Sequence, residues 1–259
     1  MLTFRRDSHI MKKQFMGSKV VLGLLTIILA GISSAGASES SDRPSAKKQP
    51  SAKKEKAKKD EVKHYDEMVV IPAGKFIFGK PGATKEISLP AYSIDKYEVT
   101  NKQFARFNLD FKYGKGGDDY PATMVSLVEA SDHCAALDKR LPTEQEWEKA
   151  ARGTDGRTYP WGNDFNKIHC ITKESVEEGQ TSIIAPVGSC ESGNSPYGAA
   201  DMSGNVWEWT SSFDDRYSIL KGGSFFEGRN YAMTYSSLLS IPNDAKDYVG
   251  FRCVKDIKK

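Results

Sequence analysis

Apolar and polar residues follow different rhythms along this chain, and each change of rhythm marks a change of structure. Arg5, Arg6, Lys12, Lys13 and Lys19 precede an apolar run from Val20 to Ala30, and small residues ending in Ala35-Gly36-Ala37 follow it. Positive charge, a short greasy core and an A-x-A site, in that order, describe a secretory signal peptide. The run is shorter than the roughly 20 apolar residues that span a bilayer. Residues 1–37 are therefore expected to direct export and be removed, with an uncleaved anchor as the alternative. Met11-Lys12-Lys13 opens a better signal than Met1 does, which leaves two candidate starts.

From residue 38 to residue 64 the apolar positions thin out and Ser, Ala, Pro and Lys take over. Pro44-Ser45-Ala46-Lys47-Lys48 recurs as Pro50-Ser51-Ala52-Lys53-Lys54. Too little here can be buried to offset the entropy of ordering, so a disordered tether is expected. Its lysines could contact acidic polymers or headgroups of the cell envelope; a plain soluble spacer is the simpler reading.

Periodic apolar positions return at Met68 and define a domain over residues 65–259. Met68-Val69-Val70-Ile71 and Gly74-Lys75-Phe76-Ile77-Phe78, separated by Pro72-Ala73, predict two short strands, and Tyr92 to Val99 predicts another. Thr100-Asn101-Lys102-Gln103, Ser126-Leu127-Val128-Glu129 and Thr143-Glu144-Gln145-Glu146 each have the capping-box pattern that starts a helix. Behind them Phe104 and Phe107, then Leu127, Ala130, Cys134 and Leu137, then Trp147, Ala150 and Ala151 recur at three or four residues, which predicts one buried face per helix. Beyond Arg152 the chain turns to Gly, Asn, Pro and aromatics without helical period. The expected class is α+β with little regular structure, in which disulfides and bound cations hold the loops.

Charge sharpens this division. The net charge of +3 hides an asymmetry: of 37 Lys+Arg and 34 Asp+Glu, residues 1–64 hold 14 and 6, so this stretch carries +8 and the remainder −5. A mildly acidic domain does not suit nucleic acid and does suit carboxylate-lined cation sites. Cys134, Cys170, Cys190 and Cys253 all lie in the exported part, where an even count favours disulfides; spacing alone leaves three pairings open. Neither a C-x-x-C unit nor a His–Cys cluster points to zinc.

Five motifs then occur in order: Arg140-Leu141-Pro142-Thr143-Glu144-Gln145-Glu146-Trp147-Glu148, Tyr159-Pro160-Trp161-Gly162-Asn163, Asp201-Met202-Ser203-Gly204-Asn205-Val206-Trp207-Glu208-Trp209, Gly222-Gly223-Ser224-Phe225 and Gly250-Phe251-Arg252-Cys253. Together they resemble the formylglycine-generating-enzyme, or sulfatase-modifying-factor, family, from about Met68 to Val254. That resemblance implies a fold similar to C-type lectins. The family's oxidases convert a sulfatase cysteine to formylglycine with oxygen, through two copper-binding cysteines placed shortly after the Gly-Gly-Ser segment. Those positions fall here on Glu227 and Ala232, and Ser224 through Met233 contains no cysteine. Soft Cu(I) requires sulfur ligands, so no copper is expected. A second branch of the superfamily binds iron through several histidines; His9, His64, His133 and His169 are too scattered for that.

The resemblance further implies a calcium ion wrapped by the side chains of Asp201 and Glu208 and the carbonyls of Gly204 and Val206, a donor set suited to a hard cation. A plainer reading has Asp201 capping a turn, Glu208 in water, and Trp207 and Trp209 in the core. The family's second calcium site falls near Cys170, Ile171, Gly179 and Thr181, where oxygen-bearing side chains are largely missing, and it is not expected. The family also implies a Cys134–Cys253 disulfide. The remaining pair, Cys170 with Cys190, is expected to close a loop of about twenty residues, the alternative being two free thiols. Tyr197, Trp207, Phe225 and Phe226 are candidates for the cleft in which oxidase relatives hold a peptide, with Ser224 and Glu227 beside them. Ser224 lacks a histidine base with sequence support and is expected to satisfy backbone groups rather than act as a nucleophile.

Three functions compete on these grounds. The first is an exported accessory module that binds a protein, peptide or glycan. The second is an oxygen-dependent enzyme of the same superfamily, and the third an envelope component anchored by its basic tether. The expected location is the periplasm, the cell envelope or the extracellular space.

Overall fold

The computed structural model describes residues 65–177, 179–181 and 183–257, all within the compact unit that spans Lys59–Lys259. The expected signal peptide and tether lie outside the described residues.

The three capping boxes form as the sequence predicts. Thr100, Ser126 and Thr143 each accept from the amide three residues on, and Gln103, Glu129 and Glu146 reach back to them. They start α1 (Asn101–Phe107), α2 (Leu127–Ala136) and α3 (Glu144–Arg152). Each satisfies two otherwise orphaned amide groups, which fixes the helix start locally before any packing. The buried faces are narrower than the periodicity predicts. Phe104, Leu127, Ala130 and Cys134 are buried, whereas Phe107 and Leu137 are 40% and 50% exposed. Both occupy the last turn or the cap of a short helix, where the chain leaves the core.

Strands β1 (Met68–Ile71), β4 (Tyr92–Asp95) and β9 (Val254–Asp256) make a three-stranded antiparallel sheet in the order β1-β4-β9. β2 (Gly74–Phe78) and β3 (Lys85–Leu89) form a hairpin; β3, rich in charge, carries little apolar signal in the sequence. The strand expected over Tyr92 to Val99 ends at Asp95, whose buried carboxylate accepts from Cys253 N and pairs with Lys139 at 2.7 Å. A second sheet, β7-β6-β5-β8, holds β5 (Trp207–Asp214), β6 (Tyr217–Lys221), β7 (Ser237–Ser240) and β8 (Val249–Gly250), with β5 and β8 parallel. Among the described residues between Arg152 and Trp207, short 3-10 turns and isolated bridges interrupt the loops, and no further helix of α type forms, as expected.

The core has two parts. Trp207, Trp209, Phe104 and Phe251 centre one between α1, α2 and the second sheet; Trp147, Tyr92, Met202 and Ala150 centre the other, beneath the first sheet. The long charged side chains of α3 enter the interior rather than water. Glu148 pairs with Arg152 at 2.7 Å and Lys221 at 3.0 Å, all three buried. Arg152 donates on to the carbonyls of Ile77, Gly79 and Gly156, and Lys149 to those of Pro72 and Gly74. Buried carbonyls without a ladder partner must find donors. Here the helix's own cations supply them.

Cys134 and Cys253 are bonded across 119 positions, clipping the C-terminal strand to α2. Opening so long a loop in the unfolded chain is expected to remove about 2–4 kcal/mol. Replacing both cysteines by alanine should therefore lower the thermal midpoint by about 5–10 °C, read by circular dichroism. An unchanged midpoint would mean that the bond adds nothing.

Candidate functional site

The segment from Asp201 to Glu208 winds tightly because three of its residues are left-handed: Asp201 at φ 56°, Gly204 at 88° and Asn205 at 59°. Gly204 admits no side chain, since a Cβ there would lie 2.3 Å from the Ile171 carbonyl oxygen. The winding delivers Glu208 into the interior, fully buried. Its two oxygens accept from Arg252 Nε and Nη2, each at 2.8 Å, and from Trp147 Nε1 at 2.7 Å. Arg252 spends its remaining donors on the carbonyls of Asp95, Lys96 and Ala200.

Two further carboxyls share this interior. Glu98 accepts from Asn205 Nδ2 at 2.9 Å, and Asp201 accepts from Gly188 N. Burial, and then its neighbour Asp201, push the Glu98 carboxyl well above its usual range. Burial also raises Asp201, against the pull of Gly188 N and Arg252. Glu98 Oε2 is sealed from solvent and receives no donor from the protein. Burial of this carboxyl beside Asp201 favours its protonated form.

The two carboxylates expected to hold calcium have partners within the protein. Glu208 has both oxygens engaged by a guanidinium and an indole, and Asp201 has one held by a backbone amide. Among the described residues no group of three His, Cys, Asp or Glu side chains is placed to hold a metal ion. Arg252 supplies a positive charge directly against Glu208. Nor is Glu208 solvated, as the plainer sequence reading had it; Trp207 and Trp209 do lie in the core.

The second expected disulfide is absent. Cys170 and Cys190 are free and buried. The Cys170 sulfur lies 4.0 Å from both the Asn166 carbonyl and the Thr172 hydroxyl, in the turn that ends at Lys167–His169, while Cys190 precedes the turn Glu191–Gly193. Burial pushes the two thiols up to about 12 and about 11, which leaves them protonated and weakly nucleophilic. His133 is also structural: it is buried among the rings of Phe104, Phe107 and Phe251, which lowers it to about 4 by desolvation.

The Gly-Gly-Ser segment packs at Gly222 against the ring of Trp147. Gly223, at φ 75°, must be glycine because a Cβ would sit 2.7 Å from the Tyr231 carbonyl oxygen. The loop is then pinned by Phe225 N to Asn205 O, Glu227 N to Ser224 O and Lys173 N to Glu227 O. Inside it, Trp207 Nε1 and Ser224 Oγ both donate to Glu227 Oε2, at 2.7 and 2.8 Å. Ser224 is thus a buried positioning hydroxyl, as expected, and Ala232 is buried. Trp207, Ser224, Phe225 and Glu227 come together. Tyr197 does not join them; it packs on the other core, beneath the first sheet. Two aromatics that sequence reasoning missed do: Tyr231 meets Trp207 edge-on at 6.4 Å, and Tyr248 lies parallel to Phe226 at 6.1 Å. Tyr248 stands two residues before the Gly250-Phe251-Arg252 motif, the one signal in the sequence that could have singled it out.

The buried acid at Glu98 has a measurable consequence. Its native proton is retained above the ordinary value of 4.5, so the folded state binds more protons than the unfolded one above that pH. Stability from this group is full below about pH 4.5 and is lost as pH rises through the native value. Glu98→Gln mimics the protonated acid. Its stability relative to the parent, from urea midpoints, should grow steadily between pH 4.5 and pH 8; a constant difference would contradict the assignment.

Comparison with known proteins agrees with this architecture. The family model for the sulfatase-modifying factor enzyme 1-like domain matches residues 53–257, beginning within the stretch expected to be a tether. The inactive C-alpha-formylglycine-generating enzyme 2 of Bos taurus is 29% identical, covering 72% of this chain and 87% of that protein. The formylglycine-generating enzyme of Thermomonospora curvata is 26% identical, covering 73% and 93%. Among solved structures, PvdO from Pseudomonas aeruginosa superimposes with a TM-score of 0.62 at 21% identity, covering 73% of this chain and 94% of that one. Treponema denticola variable protein 1 does so with 0.61 at 18%, with the same coverage. With its motifs in order and a family model spanning the described domain, the chain belongs to the formylglycine-generating-enzyme, or sulfatase-modifying-factor, family.

Proposed function

We propose that this chain is an exported, non-catalytic member of its family, an accessory module that holds a protein or peptide on the face around the Gly-Gly-Ser loop. One observation carries the reading: Glu227 and Ala232 stand where the oxidases place their copper-binding cysteines. Cu(I) is stable on sulfur ligands, and a carboxylate with a methyl group offers none. No other thiol can substitute. Cys134 and Cys253 are bonded to each other, and Cys170 and Cys190 are buried, protonated thiols elsewhere in the loops. A relative whose name marks it as inactive is 29% identical over 262 residues, which supports a scaffold kept without its redox chemistry. The exposed rings of Phe226 and Tyr231 at this face are the apolar surface on which a partner would rest.

The full chain, incubated aerobically with Cu(I) and a cysteine-bearing sulfatase peptide beside an active family member, should give no aldehyde product by mass spectrometry and should retain no copper after desalting. Formylglycine formation, or copper bound in stoichiometric amount, would overturn the proposal.

A further inference from the structure

Among the described residues no cation pairs with the Glu227 carboxylate. Its Oε2 takes both donors offered from inside, Trp207 Nε1 and Ser224 Oγ. Its Oε1 receives no hydrogen bond, yet it is not among the polar atoms sealed from solvent; it is therefore open to whatever lies at the surface. The basic residues of the neighbouring loops do not neutralise it. Arg229 is engaged by Glu174 and lies over the Phe165 ring at 4.8 Å. Lys246 pairs with Asp244 at 2.8 Å. Lys173 donates its backbone N–H to the Glu227 carbonyl oxygen, at 2.9 Å, and forms no ion pair with the Glu227 carboxylate.

The aromatic rings connected to Glu227 through Trp207 and Phe226 favour the same kind of guest. Phe226 and Tyr231 are 66% and 49% exposed, Tyr231 leans on the Trp207 edge, and Tyr248 lies beside Phe226. Aromatic faces attract ammonium and guanidinium groups. One such contact is already made within the chain, where Lys246 Nζ sits 5.8 Å from the centre of the Tyr248 ring. The two bonds on Oε2 also fix the carboxylate before any ligand arrives, so little order has to be imposed on binding.

We propose that Glu227 and the rings of Phe226, Tyr231 and Tyr248 form a subsite for a cationic side chain, the guanidinium or ammonium of an arginine or lysine in a bound peptide. The inference rests on the reading that this face holds a peptide, and it names the residue that such a peptide presents. Sulfur at this position would select a thiol or a soft metal. An anchored, solvent-facing carboxylate selects a hydrogen-bonding cation instead.

Calorimetric titration of the full chain with capped Ala-Phe-Xaa-Phe-Ala peptides, Xaa being arginine, lysine, citrulline or glutamate, tests this directly. Citrulline keeps the shape of arginine and part of its donor set, with a carbonyl in place of one nitrogen and no charge. The arginine and lysine peptides should bind about ten-fold more tightly than the citrulline peptide, with glutamate weakest. Glu227→Gln, which still accepts from Trp207 and Ser224, should keep the parent's thermal midpoint and bring arginine down to the level of citrulline. Equal binding of all four peptides, or a preference that survives in Glu227→Gln, would sink the subsite while leaving a peptide-holding face. Binding of none of them would remove that face as well.

Discussion

The fold depends on one buried ion pair, Arg252 with Glu208. A domain with few ladders leaves many carbonyls facing inward, and each must meet a donor or destabilise the folded state by about 1–3 kcal/mol. Arg252 joins loops that share no sheet hydrogen bonds: it reaches the end of β4 through Asp95 and Lys96, the approach to the Asp201 segment through Ala200, and the start of β5 through Glu208. A planar group with five donors is suited to such a junction, and a lysine is not. Arg152 performs the same service on the far side of α3, between the β2–β3 hairpin and the loop after the helix. An ion pair of this kind is a weak source of net stability in itself, but removing one partner strands the other, at roughly 3–5 kcal/mol. Its value lies in fixing which loop lies against which.

From that junction the geometry runs outward to the candidate site. Trp207 and Glu208 are neighbours on β5, so their side chains leave on opposite faces of the strand. Glu208 is bound to Arg252 in the interior, and the Trp207 indole donates to Glu227 at the surface loop. The buried pair thereby sets the position of the carboxylate that a partner would meet. Asn205 links the same parts by another route: its carbonyl holds Phe225 N and its side chain holds Glu98. A face supported in this way is rigid and presents hydrogen-bonding oxygen and aromatic carbon, with no sulfur in the Gly-Gly-Ser loop. It is suited to holding a ligand and lacks the ligands for copper chemistry.

What the sequence disclosed follows the range of the interactions. The helix starts at Thr100, Ser126 and Thr143 are settled within four residues and are legible without any tertiary knowledge. The α+β class and the looped second half follow from the loss of period after Arg152. The replacement at Glu227 and Ala232 was legible because it is a change of element, sulfur to oxygen and carbon. Long-range pairings were not legible. Glu208 and Arg252 are 44 positions apart, and nothing in the sequence around Glu208 distinguishes a carboxylate that binds a metal from one that binds a guanidinium. Tyr197 packs on the other core, and nothing local to it in the sequence says which core it joins. Cys170 and Cys190 satisfied the parity argument and still remained thiols, because parity says nothing about where a sulfur points.

We propose that internal cations, Arg252 foremost, hold these loops without a bound one. Exhaustive chelation of the purified chain, followed by thermal unfolding with and without added calcium, addresses it directly. A frame neutralised by Arg252 unfolds at the same midpoint in both conditions. A midpoint that falls on chelation and returns with calcium would contradict it, and would mean that Glu208 leaves Arg252 for a metal ion.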